Sequence, residues 1–73
     1  MPFDAFLNEL SDIFEVQITA DLNITELAAW SSLTSLSVIT MTEEEFGIRL
    51  TPSELIEAGT AEKLYALIQK RVA

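Results

Sequence analysis

The 73-residue chain contains neither histidine nor cysteine. It therefore lacks the side chains that most often serve as neutral-pH acid and base, thiolate nucleophile and zinc ligand. The remaining reactive groups are hydroxyls and carboxylates, and no carboxylate pair stands at a spacing that suggests a metal box or a partner base. Two groups still invite a chemical reading. Ser31 and Ser32 lie where an irregular stretch gives way to a helical one, so they fall at a helix N-terminus, where unpaired N–H groups and the helix dipole favour a phosphate. The plainer reading is an ordinary N-cap, which contributes about 1 kcal/mol to the helix. Glu43, Glu44 and Glu45 form an acidic run, read either as a solvated face or as a docking surface. Nothing sets a general base beside a nucleophile, so an enzyme is not expected.

Four helices must position these residues. Phe3, Phe6, Leu7, Leu10, Ile13 and Phe14 recur at spacings of three and four behind Pro2, which predicts a first helix that weakens near the β-branched Val16, Ile18 and Thr19. From Gln17 to Ser31 the pattern is irregular, with turn-forming Thr19, Asp21, Asn23 and Thr25 and with anchors Leu22, Ile24 and Leu27. A loop of this length in a small domain is usually functional or packed by its own side chains, and Thr25 to Ala29 is suited to a helical turn. Residues 32–46 mix strand-favouring Val38, Ile39, Thr40 and Thr42 with helically spaced Leu33, Leu36, Ile39 and Phe46. The glutamate run and a Schellman stop at Gly47-Ile48 decide for helix. Thr51-Pro52-Ser53-Glu54 reads as a capping box that opens a short third helix ending at Gly59. Thr60 caps a last helix with Leu64, Leu67, Ile68 and Val72 as its stripe and with Lys70 and Arg71 at its negative end. The expected fold is all-α: a small four-helix bundle with a long first loop and a short third helix. Its core is expected to unite Phe6, Leu10, Phe14, Leu36, Phe46, Leu64 and Ile68.

Residues 1–73 are read as a single domain, because two independent cores would each need roughly 50 residues or more. Net charge is −8, and it is unevenly spread: residues 1–48 hold nine acids and no base, whereas residues 49–73 hold three acids and four bases. Such a surface repels nucleic-acid phosphates, so nucleic acid is not expected as a partner, while basic protein surfaces would be drawn in. No run of 18 apolar residues occurs and the N-terminus has an acidic flank, which leads to the expectation of a soluble cytoplasmic protein without a membrane span. Nothing in the composition demands oligomerisation, and a monomer is expected.

Trp30-Ser31-Ser32-Leu33 followed by Glu43-Glu44-Glu45-Phe46-Gly47-Ile48 resembles the acyl carrier protein family, with its Asp-Ser-Leu motif and downstream Glu-Glu-Glu-Phe-Gly-Ile. In that family the modified serine lies eleven residues before the first of these glutamates, as Ser32 lies eleven before Glu43, whereas Ser35 lies eight before it. The resemblance covers nearly the whole chain. It implies that Ser32 accepts 4′-phosphopantetheine from coenzyme A through a magnesium-dependent phosphopantetheinyl transferase, and that the arm's thiol carries acyl groups as thioesters for fatty-acid or specialised lipid or polyketide biosynthesis. It also implies that Glu43 and Glu44 meet basic docking surfaces on acyl-handling enzymes, and that Leu33, Leu36, Ile39 and Phe46 shelter an acyl chain. Ser31 stands where the family usually has aspartate, a departure that bears on recognition by the transferase, and Thr34 and Ser37 are neutral at positions often acidic in fatty-acid carriers, which is compatible with a specialised pathway. The alternative is an unmodified carrier-like domain acting only as an acidic interaction module.

Overall fold

The computed structural model describes residues 1–72. It contains helices α1 (Phe3–Phe14), α2 (Ser32–Phe46), α3 (Pro52–Ala58) and α4 (Ala61–Val72), with a 3₁₀ turn at Ile24–Glu26 in the long first loop. No strand occurs among the described residues beyond a single bridge between Asn23 and Thr60. The expected all-helical bundle with a long first loop and a short third helix is therefore what the chain forms. It measures 32 × 22 × 19 Å.

Aromatic pairs set the helix directions. Phe14 stacks on Trp30 at one end of α1, with ring centroids 6.2 Å apart, and Phe6 meets Phe46 edge-on at 6.1 Å at the other, so α1 and α2 run antiparallel. Tyr65 of α4 packs against Phe3 and Phe6 and donates its hydroxyl hydrogen to the Met1 carbonyl at 2.7 Å. Phe6, Leu10, Phe14, Leu64 and Ile68 are buried, as their spacing predicts. Each such side chain contributes about 1.5–3 kcal/mol by leaving water.

The expected phase of α2 was wrong. Leu36 does not join the core: it is 58% exposed, and Leu33 beside it is 74% exposed. The inward face is formed by Ser35, Val38, Met41 and Thr42, and Phe46 is half-buried at the helix end. The physical reason lies in the hydroxyls. Ser35 and Thr42 can enter the interior because each donates back to a carbonyl three residues earlier, Ser32 at 3.0 Å and Ile39 at 2.9 Å, so that neither brings an unsatisfied donor inside. Val72, placed on the apolar stripe of α4, is also exposed.

The first loop supplies core as well as connection. Ile18 and Ile24 are buried, and the chain from Ala20 to Ile24 is strung along the α3–α4 junction by three bonds. Ile24 N donates to Gly59 O at 3.0 Å, Ala61 N to Leu22 O at 3.4 Å and Glu62 N to Ala20 O at 2.9 Å. Gly59 has φ +73°, and a Cβ there would stand 3.0 Å from the Asn23 amide nitrogen, so only glycine fits this crossing without displacement. Gly47, at φ 72°, ends α2 with one bond from its N–H to Glu43 O. That is the simple αL stop rather than the expected Schellman pair, because no bond from Ile48 N–H to Glu43 O accompanies it among the described residues. At α3 the capping box forms in both directions, with Glu54 N donating to Thr51 Oγ1 at 3.2 Å and Thr51 N to Glu54 Oε1 at 2.9 Å. Arg71 of α4 pairs with the other oxygen of Glu54 and so ties α4 to α3.

Candidate functional site

The head of α2 separates the two adjacent serines by role. Ser31 is the N-cap, with extended backbone (φ −158°, ψ 175°), and its Oγ accepts from Thr34 N at 3.2 Å. Thr34 completes the box with a hydroxyl where a glutamate usually serves: its Oγ1 accepts from Ser31 N at 2.9 Å and donates to Ala29 O at 2.8 Å. Aspartate, serine and asparagine cap about equally well, so the serine at this position keeps the cap while adding no negative charge.

Ser32 is therefore released from capping. It occupies the first helical position, it is exposed, and its hydroxyl has no hydrogen-bond partner among the described residues. The other serines of this helix are engaged, Ser35 with the Ser32 carbonyl and Ser37 with the Leu33 carbonyl at 3.1 Å. Amides in the first turn have no intrahelical acceptor, and Ser31 satisfies that of Thr34 only, so the Ser32 and Leu33 N–H groups stand at the positive end of a 15-residue helix. That environment suits a phosphodiester on Ser32. No basic side chain hydrogen-bonds to this helix head among the described residues.

At the far end of α2, Glu43, Glu44 and Glu45 are all exposed. Glu43 pairs with Arg49 at 3.1 Å, both side chains largely in solvent, an arrangement worth about 0–1 kcal/mol. Glu44 and Glu45 have no such partner among the described residues. Sequence reasoning missed the Arg49 contact because six residues and a left-handed glycine separate the two, a spacing that no helical rule covers. No group of metal-ligating side chains occurs among the described residues.

The family profile described as "Phosphopantetheine attachment site" matches residues 4–68. The chain belongs to this family. The carrier domain is thus one that bears 4′-phosphopantetheine covalently, and its unengaged exposed serine at a helix head fits that group. Domains of this family interact with partner enzymes such as transferases, and they generally hold groups rather than catalyse. Comparison with curated proteins and with solved structures gave no significant match. No helix among the described residues is long and apolar enough to cross a membrane.

Proposed function

We propose that Ser32 is the attachment residue and that the protein is a non-catalytic acyl carrier, a cytoplasmic monomer that holds acyl intermediates as thioesters for partner enzymes of fatty-acid or specialised lipid or polyketide biosynthesis. The observation that carries this reading is the division of labour at Ser31 and Ser32, where one hydroxyl is committed to the cap and the next is exposed and unengaged. Phosphoryl transfer requires a base for the hydroxyl proton and a cation for the diphosphate. Among the described residues no charged side chain hydrogen-bonds to Ser32, and both are assigned to the phosphopantetheinyl transferase. The Ser32 oxygen then forms a P–O bond to the pantetheine-bearing phosphate, the diphosphate link of coenzyme A breaks, and the adenosine bisphosphate leaves. The thiol so delivered supplies the sulfur chemistry that the cysteine-free chain lacks.

Glu43 and Glu44 are the residues proposed to meet basic surfaces on these enzymes. Acids at a helix C-terminus oppose the dipole, so their contribution lies outside the fold. Co-expression with a broad-specificity transferase followed by intact mass measurement tests the reading. One added phosphopantetheinyl group on wild type and none on Ser32→Ala is the expected result. No gain on wild type with a transferase shown to be active would favour the unmodified acidic interaction module.

A further inference from the structure

Thr34 makes more hydrogen bonds than a helix cap requires. A capping box needs one acceptor at this position, for the Ser31 N–H, and Thr34 Oγ1 supplies it at 2.9 Å. The same oxygen has a hydrogen to donate. Ala29 O at 2.8 Å is nearer to it than Ser31 O at 3.3 Å, so the hydrogen goes to Ala29. An ionised carboxylate here would accept from Ser31 and have nothing to give Ala29. The hydroxyl thus joins the end of the first loop to the head of α2. Trp30, between the two residues so joined, is held from the other side: its ring stacks on Phe14 at 6.2 Å and its N–H donates to Leu27 O at 3.0 Å. Ser32 follows directly, exposed and with its hydroxyl unengaged among the described residues. Where its oxygen stands is therefore decided by the backbone on either side, the helix after it and this junction before it.

We propose that Thr34 is a positioning residue for loading at Ser32: its hydroxyl fixes the junction from Ala29 to Ser31 and with it the direction in which the Ser32 oxygen meets the incoming phosphorus. The proposal rests on the reading of Ser32 as the attachment residue. In-line displacement depends on where the attacking oxygen is held, and a misplacement of about 1 Å costs on the order of 100-fold in rate. Stability is much less sensitive. Both groups that Thr34 engages lie at the surface, so water takes them over when the hydroxyl is removed. Water satisfies the Ser31 N–H and the Ala29 carbonyl separately, however, and does not hold one to the other. Valine is the discriminating substitution, because it keeps the β-branched shape of threonine and loses only the hydroxyl. It also spares the cap, since Ser31 Oγ accepts from the backbone N–H of residue 34, at 3.2 Å.

The test follows loading of the full chain by a broad-specificity transferase for wild type, Thr34→Val, Thr34→Ser and Thr51→Val, the last removing the equivalent hydroxyl from the α3 cap. Thr34→Val is expected to lose about fivefold in kcat with KM within about twofold, and Thr34→Ser, which keeps the hydroxyl, to stay within about twofold of wild type in both. Thr51→Val is expected to load normally although its urea midpoint falls further, by about 1 M against less than about 0.5 M for Thr34→Val. Exchange of the Ser31 amide hydrogen, read by NMR without any transferase, is expected to quicken at least about threefold in Thr34→Val and to return to the wild-type rate in Thr34→Ser. Wild-type kcat in Thr34→Val would overturn the proposal. So would a loss carried by KM, which makes Thr34 a contact of the transferase, a loss not rescued in Thr34→Ser, or an equal loss in Thr51→Val. Failure of wild type to load with an active transferase would overturn the Ser32 reading itself, whereas loading indifferent to Thr34→Val overturns only this assignment.

Discussion

Leu36 and Val38 are separated by about 200° around α2, and replacing each with alanine discriminates the observed phase of the helix from the one its leucines suggest. Val38 is fully buried, at 0% exposure. Its truncation removes two methyl groups at about 0.8 kcal/mol each and leaves a small cavity, for a total of about 2 kcal/mol. Leu36 is 58% exposed, so it retains only about two-fifths of the roughly 2 kcal/mol available to a leucine, less the few tenths by which alanine is the better helix former, or about 0.5 kcal/mol. Had Leu36 been in the core, the loss would be about 2–5 kcal/mol. A domain of this size has a total stability of about 4–10 kcal/mol, so both variants fold. With an m-value near 1 kcal/mol/M in urea, the midpoint should fall by about 2 M for Val38→Ala and about 0.5 M for Leu36→Ala. Far-UV circular dichroism and Trp30 fluorescence provide two probes of the same transition. A shift for Leu36→Ala equal to or larger than that for Val38→Ala would refute the inward face described here.

Ser31→Ala should cost about 1 kcal/mol through the lost cap, whereas Ser32→Ala should stay within about 0.5 kcal/mol, both read from urea melts. Glu43→Gln with Glu44→Gln should leave stability within a few tenths of a kcal/mol and slow transferase loading at about 20 mM salt, the difference fading toward about 300 mM. The Thr51 backbone N–H donated to Glu54 and the Arg71 guanidinium beside it hold the Glu54 carboxyl below its ordinary 4.5, against the opposing effect of burial. Its contribution to stability is therefore complete above the unfolded-state value and is lost as pH falls through the folded-state value. Urea midpoints between about pH 6 and pH 3 should drop less steeply in Glu54→Gln than in wild type.

Much of the architecture is legible in the sequence because it rests on local signals. The apolar spacing from Phe3 to Phe14 gives α1 and its buried face, and the Thr51-Glu54 box and the glycines at 47 and 59 mark boundaries that the backbone observes. What was not legible depends on contacts distant in sequence or on hydroxyls behaving as apolar groups. In α2 the leucines point to one face and the buried Ser35 and Thr42 to the other. Only a carbonyl within the same helix makes the latter admissible inside, and periodicity cannot see that bond. Ile18 and Leu50 fill the core from segments outside the helices, where no period exists to identify them. At the site, the sequence locates a serine pair at a helix head but does not assign the cap. The Thr34 hydroxyl, bonded to Ser31 N and Ala29 O, makes that assignment.

The central claim is that one hydroxyl, that of Ser32, receives the arm, and peptide mapping with fragmentation tests it most directly. Trypsin leaves residues 1–49 as one peptide because no base precedes Arg49, whereas cleavage after glutamate releases residues 27–43 with Ser31, Ser32, Ser35 and Ser37 together. Fragmentation of that peptide from protein co-expressed with an active transferase should place the phosphopantetheinyl group on Ser32 alone. The same group located on Ser31 or Ser35 would contradict the account.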